Sequence, residues 1–103
     1  PHPEMMVYAA AKCAQTSIVR NLAKTFAPHG VTVNNLAPGA IYTDRNVESL
    51  SDKTYKKRVL ERIPCGYIGE PEDCAGAAVL LCSDASRYIT GQSIFADGGM
   101  SLG

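Results

Sequence analysis

The run Val31-Thr32-Val33-Asn34-Asn35-Leu36-Ala37 is rich in β-branched and apolar residues, and Gly30 and the pair Pro38-Gly39 bound it. Its length and composition read as a strand buried on both faces. Upstream, Ala11, Ala14, Ile18, Leu22 and Phe26 recur at three- and four-residue steps, with Ala10, Cys13 and Ser17 widening the stripe. That spacing predicts a long helix from Val7 to about Ala27, small enough along one face to pack closely on a neighbour. Pro28 disfavours helical geometry just before it, and Gly30 suits a reversal. A helix feeding a short buried strand implies a parallel sheet and an α/β fold. In such sheets ligands bind beyond the carboxyl ends of the strands, where Pro38-Gly39 falls. A plain turn has the same two residues.

Near the start of that helix stands Tyr8-Ala9-Ala10-Ala11-Lys12. At 3.6 residues per turn, Tyr8 and Lys12 share a face with their side chains adjacent. A free phenol titrates near pH ~10, roughly 4 kcal/mol from working as an acid or base near neutrality. An ammonium at about 6 Å, with an effective dielectric of about 20, supplies on the order of 2 to 3 kcal/mol. A bound cationic cofactor would supply the remainder. By itself the pair is also compatible with an amphipathic helix in which Tyr8 caps the core and Lys12 is solvated.

Downstream, Thr43 or Asp44 is expected to cap a short turn, and Ser51 a helix from about Asp52 to Arg62 that ends before Pro64. Lys53, Lys56, Lys57, Arg58 and Arg62 make this helix basic, either as a solvated face or as a segment over a crevice that attracts an anionic substrate. Glu70-Pro71-Glu72-Asp73 starts another helix, with proline in its first turn and carboxylates at the positive end of the dipole. It should run to about Cys82, its small stripe of Cys74, Ala78, Leu81 and Cys82 packed on the sheet. Gln92 to Ala96 reads as a last strand, closed by Asp97-Gly98-Gly99.

Composition narrows the function. Ten basic residues balance ten acidic ones, so no strong field is available for nucleic acid or an anionic membrane. No apolar run reaches the ~18 residues of a membrane span, and Pro1-His2-Pro3-Glu4 lacks the form of a signal peptide, so a cytoplasmic location is expected. Cys13, Cys65, Cys74 and Cys82 form no Cys-x-x-Cys pair, and only His2 and His29 could add imidazole ligands, so no metal site is expected. Cys13, Cys74 and Cys82 fall in apolar helical patterns and read as small hydrophobes.

Taken together, Tyr8-x-x-x-Lys12, Val33-Asn34-x-x-x-Pro38-Gly39-x-x-x-Thr43, Gly69-Glu70-Pro71-Glu72-Asp73, Ile89-Thr90-Gly91 and Asp97-Gly98-Gly99 resemble, in order, the C-terminal half of the short-chain dehydrogenase/reductase family. The resemblance implies part of a Rossmann-like, doubly wound parallel sheet, about two strands and three helices of it. It further implies hydride transfer between NAD or NADP and a secondary alcohol or carbonyl such as a sugar acid, polyol or 3-oxoacyl thioester. Tyr8 would carry the proton, and Lys12 would hold the nicotinamide ribose and acidify the tyrosine. Pro38 and Gly39 would wall the nicotinamide, with the Ile41 backbone and the Thr43 hydroxyl on its carboxamide. The basic segment would be a substrate lid, and the full-length parent a homotetramer.

The family's glycine-rich phosphate loop and its catalytic serine lie upstream of the tyrosine and are absent from these 103 residues. Residues 1–103 are therefore expected to be the C-terminal half of one domain without its cofactor-binding half. Such a piece should be marginally stable, with an unpaired sheet edge, and inactive alone. A truncated, non-catalytic remnant or assembly module of the same fold is the competing reading.

Overall fold

The computed structural model describes residues 5–103. Its elements are α1 (Met6–Phe26), β1 (Asn35–Pro38), α2 (Val47–Ser51), α3 (Lys53–Glu61), α4 (Glu72–Leu81) and β2 (Ser93–Ala96), with short 3₁₀ turns at Ala27–His29, Asp84–Ser86 and Met100–Leu102. The fold is α/β. β1 and β2 pair in parallel, Asn35 opposite Ser93 and Pro38 opposite Ala96, and a single parallel bridge joins Ile41 to Gly69.

The first strand is shorter than the sequence suggests, and neither of its faces is fully buried. Residues 31–33 are all β-branched, as in a strand, but only residues 35–38 pair with β2. The approach to β1 is held by side chains instead. The Asn34 amide donates to the Ile89 carbonyl at 2.9 Å while its oxygen accepts from the Gln92 N–H at 3.1 Å. Thr90 Oγ1 accepts from the Val33 N–H at 3.1 Å, and the Gly91 N–H donates to the Val33 carbonyl at 2.8 Å. The Ile89-Thr90-Gly91 motif is thus the complement of Val33-Asn34. Beyond the strands, Gly39 lies so close to the second one that a Cβ there would stand 2.6 Å from Asp97 Cβ and 2.7 Å from its Cα.

Helix boundaries follow local chemistry. α1 ends at Phe26, and Pro28 is taken into a 3₁₀ turn, after which Gly30 reverses the chain with φ of 74°. The basic helix is capped by Asp52 and not by Ser51: the Asp52 carboxylate accepts from the Thr54 and Tyr55 N–H groups. A single charged oxygen, Oδ1, takes both bonds, and a carboxylate favours the positive end of the helix dipole where a serine hydroxyl brings no charge. Ser51 instead closes the separate helix α2. At the start of α4, Asp73 Oδ2 accepts from the Glu70 N–H at 2.7 Å.

The enclosed core is small. Leu50, Ile63 and Ile68 form it, with Tyr42, Val59, Leu60 and Met100 packed around them. On α1 only Ala23 is buried, while Ile18 is 57% exposed and Leu22 and Phe26 stand largely open. Apart from the 3₁₀ turn that follows it, α1 makes no extensive contact with another named element among the described residues. A Cα radius of gyration of 15.8 Å reflects this, against about 13 Å for a compact domain of this length. The cysteines are free; Cys74 is half-buried, whereas Cys13 and Cys82 are exposed, Cys13 on the little-contacted α1 and Cys82 at the C-cap of α4.

The chain closes on Asp97. Its carboxyl lies below the usual carboxylate range because the Ser101 hydroxyl and the Gly99 and Ser101 N–H groups all bond its ionised form. A lowered folded-state value makes this contribution complete above the ordinary value of 3.8 and lost as pH falls through the lowered one. The stability difference between the wild type and Asp97→Asn, followed by denaturant melts from neutral pH downward, should therefore shrink at the acid end. Replacing Asn34 by alanine strands the Ile89 carbonyl and the Gln92 N–H and should cost about 1–3 kcal/mol of unfolding free energy, read from the same melts.

Candidate active site

The sequence-predicted residues fall into two groups. Tyr8 and Lys12 sit one turn apart on the first half of α1, the Lys12 Nζ 5.5 Å from the centroid of the Tyr8 ring. Both side chains are exposed. An Ala-Ala-Ala spacer leaves this face free of bulk and keeps the helix continuous, since alanine has the best helix propensity. The second group, Pro38, Gly39, Ile41 and Thr43, lies in one segment leaving the carboxyl end of β1. No hydrogen bond among the described residues joins the two groups.

The segment after β1 is rigidly tied. The Tyr42 N–H donates to the Gly69 carbonyl at 2.9 Å, and the Gly69 N–H to the Ala40 carbonyl at 2.9 Å. The crossing is close: a Cβ on Gly69 would lie 2.7 Å from Ile41 Cδ1, so the end of the Ile41 side chain would have to shift. In a parallel bridge of this kind, the N–H and C=O of Ile41 itself point away from Gly69. A donor and an acceptor side by side on one extended residue suit a primary carboxamide, which offers the complementary pair. The exposed Thr43 hydroxyl stands two residues on.

Sequence reasoning missed Asn46. Its Nδ2 donates to the Ile41 carbonyl at 2.6 Å, and its Oδ1 accepts from the Thr43 N–H at 2.8 Å. The available signal was an asparagine three residues after Thr43, since such side chains commonly bond nearby backbone in turns.

A cavity of about 310 Å³ opens at the carboxyl ends of both strands, lined in part by Ile41, Tyr67, Asp73, Phe95 and Asp97. Of the residues expected from the sequence, Ile41 reaches it. Pro38 and Gly39 border a shallower hollow with Arg62 and Met100. On the basic helix, Lys56 Nζ lies 5.7 Å from the Tyr42 ring centroid, so one cation of α3 rests on the residue between Ile41 and Thr43. Among the described residues, no three His, Cys, Asp or Glu side chains gather as metal ligands. No helix there is long and apolar enough to cross a membrane.

Comparison with known proteins gives one consistent result. The family described as Enoyl-(Acyl carrier protein) reductase matches residues 1–101. A 3beta-hydroxysteroid dehydrogenase 1 of Eggerthella lenta is 42% identical over 102 residues, which are 99% of this chain and 39% of that protein. An L-rhamnose 1-dehydrogenase (NAD(P)(+)) of Azotobacter vinelandii is 42% identical over 90% of this chain and 36% of its own length. A crystal structure of a gluconate 5-dehydrogenase from Burkholderia cenocepacia, in complex with NADP and tartrate, superposes with a TM-score of 0.87 at 33% identity, covering 93% of this chain and 38% of that one. The chain thus spans less than half the length of these relatives. With the family matched almost from end to end and the α/β arrangement shared with solved members, this chain belongs to the short-chain dehydrogenase/reductase family.

Proposed function

We propose that this chain is the proton-transfer half of an NAD(P)-dependent oxidoreductase that interconverts a secondary alcohol and its carbonyl. The observation that carries the reading is the Lys12 ammonium held 5.5 Å from the Tyr8 ring on one helix face. The Rossmann-type relatives give it context, one crystallised with NADP and another named for use of NAD(P)(+). When bound, the nicotinamide takes up or gives the hydride. In the reductive direction the Tyr8 hydroxyl protonates the nascent alkoxide oxygen; in the oxidative direction the Tyr8 phenolate accepts the alcohol proton. The Lys12 ammonium would donate to the cofactor ribose. Ile41 N–H and C=O, with the Thr43 hydroxyl, would hold the carboxamide, and Pro38 and Gly39 would form the wall beside the ring.

Sugars and sugar acids are the favoured substrates, since the relatives include an L-rhamnose and a gluconate dehydrogenase. In this reading a glycine-rich half precedes residue 1 in the whole protein and covers the open face of α1. The whole enzyme is a cytoplasmic homo-oligomer, a tetramer as in the family at large.

In the full-length polypeptide, Tyr8→Phe should lower kcat by about 10²–10⁴-fold while leaving dinucleotide affinity, measured by fluorescence titration, essentially unchanged. Undiminished kcat would overturn the assignment of the proton to Tyr8. Residues 1–103 expressed alone should show no change in dinucleotide absorbance with a panel of sugars, sugar acids and polyols. Turnover by this piece would refute the need for a second half.

A further inference from the structure

We propose that Asn46 is a positioning residue that presets the Ile41–Thr43 turn for a primary carboxamide, an inference that rests on the nicotinamide reading above. The observation is a diverted side chain. Asn46 is the N-cap residue of α2, where an asparagine ordinarily accepts from the backbone of the first helical turn, yet its side chain makes no capping bond. It reaches back to the turn, bonding the Ile41 carbonyl and the Thr43 N–H at 2.6 and 2.8 Å. The backbone of the same loop brings it there, because the Asn46 and Val47 N–H groups both donate to the Thr43 carbonyl at 3.0 Å.

Asn46 is half-buried and its two bonds span the residues that flank Tyr42. On one side, the bridge to Gly69 fixes the neighbours of Ile41; on the other, Asn46 fixes Ile41 itself. The carbonyl has two lone pairs, so one remains for a ligand after Asn46 has bonded the other. With the Thr43 N–H engaged by Asn46, the Thr43 side chain is the polar group left facing outward. Asn46 therefore holds the Ile41 carbonyl, one of the three groups that would meet the carboxamide, and the backbone of Thr43, whose side chain carries another, so that binding does not have to order them. It also links this turn to the start of the α2–α3 segment, tying the placement of the expected lid to the nicotinamide side.

The test uses the full-length polypeptide and two probes, the oxidised dinucleotide and the matching ADP-ribose, which has every part of the cofactor except the nicotinamide. Losing one of these hydrogen bonds is worth about tenfold in affinity, so Asn46→Ala should weaken the dinucleotide about tenfold and leave ADP-ribose unchanged by calorimetry. Asn46→Asp keeps the acceptor for Thr43 but removes the donor to Ile41, and should show the same selective loss. It serves as the deciding variant should the alanine protein not fold. Equal weakening of both probes, or of neither, overturns the inference. A wild type that binds ADP-ribose no less tightly than the dinucleotide, without turnover, would instead sink the nicotinamide reading itself.

Discussion

The parallel register of β1 on β2 is the constraint on which this structure depends, because it joins segments 58 residues apart in the chain. Closing a loop of that length costs roughly 3–4 kcal/mol in its length-dependent part alone. Hydrogen bonds worth about 1 kcal/mol each must therefore act in number. They do so in a zipper that begins before the strands, where Asn34 bonds Ile89 and Thr90 bonds Val33, and ends after them, where the Gly39 N–H donates to the Ala96 carbonyl. Everything that faces the site follows from this seam. It sets where Pro38-Gly39 leaves the sheet, and from there Ile41 reaches Gly69.

Two asparagine carboxamides do parallel work at different scales. Asn34 spans two distant segments, offering its donor to one residue and its acceptor to another. Asn46 does the same within one turn. A primary amide suits both places because it carries a donor and an acceptor on one rigid, uncharged plane, and so can substitute for a missing peptide pair without importing a charge. The motifs Val33-Asn34 and Ile89-Thr90-Gly91 are thus halves of one structural device and need no ligand to explain them.

The long first helix is the opposite case. Its stripe of small and aliphatic residues is built for burial, yet Ile18, Leu22 and Phe26 are open and the chain's buried cluster lies elsewhere. Relatives of more than twice this length share the fold. The Tyr8–Lys12 pair is already formed without that burial, because it is made within one helix turn.

What could be read from the residues is what local chemistry fixes: the helical period of α1, the proline and carboxylates opening α4, the Tyr8–Lys12 spacing, and the bend at Pro38-Gly39. Each rests on neighbours within four or five positions, and each recurs in the structure. Strand ends, caps and clamps were not readable in this way. Residues 31–33 are β-branched like a strand, but which residues join the sheet depends on where β2 lies. Asp52 displaced Ser51 as a cap because the chain breaks into two helices at that point. Asn46 was indistinguishable from any loop asparagine until the turn brought the Ile41 carbonyl and the Thr43 N–H to its two ends. Hydrogen bonds between groups far apart in the chain, or across an irregular loop, leave no periodic trace in a sequence, so the tertiary structure alone assigned them.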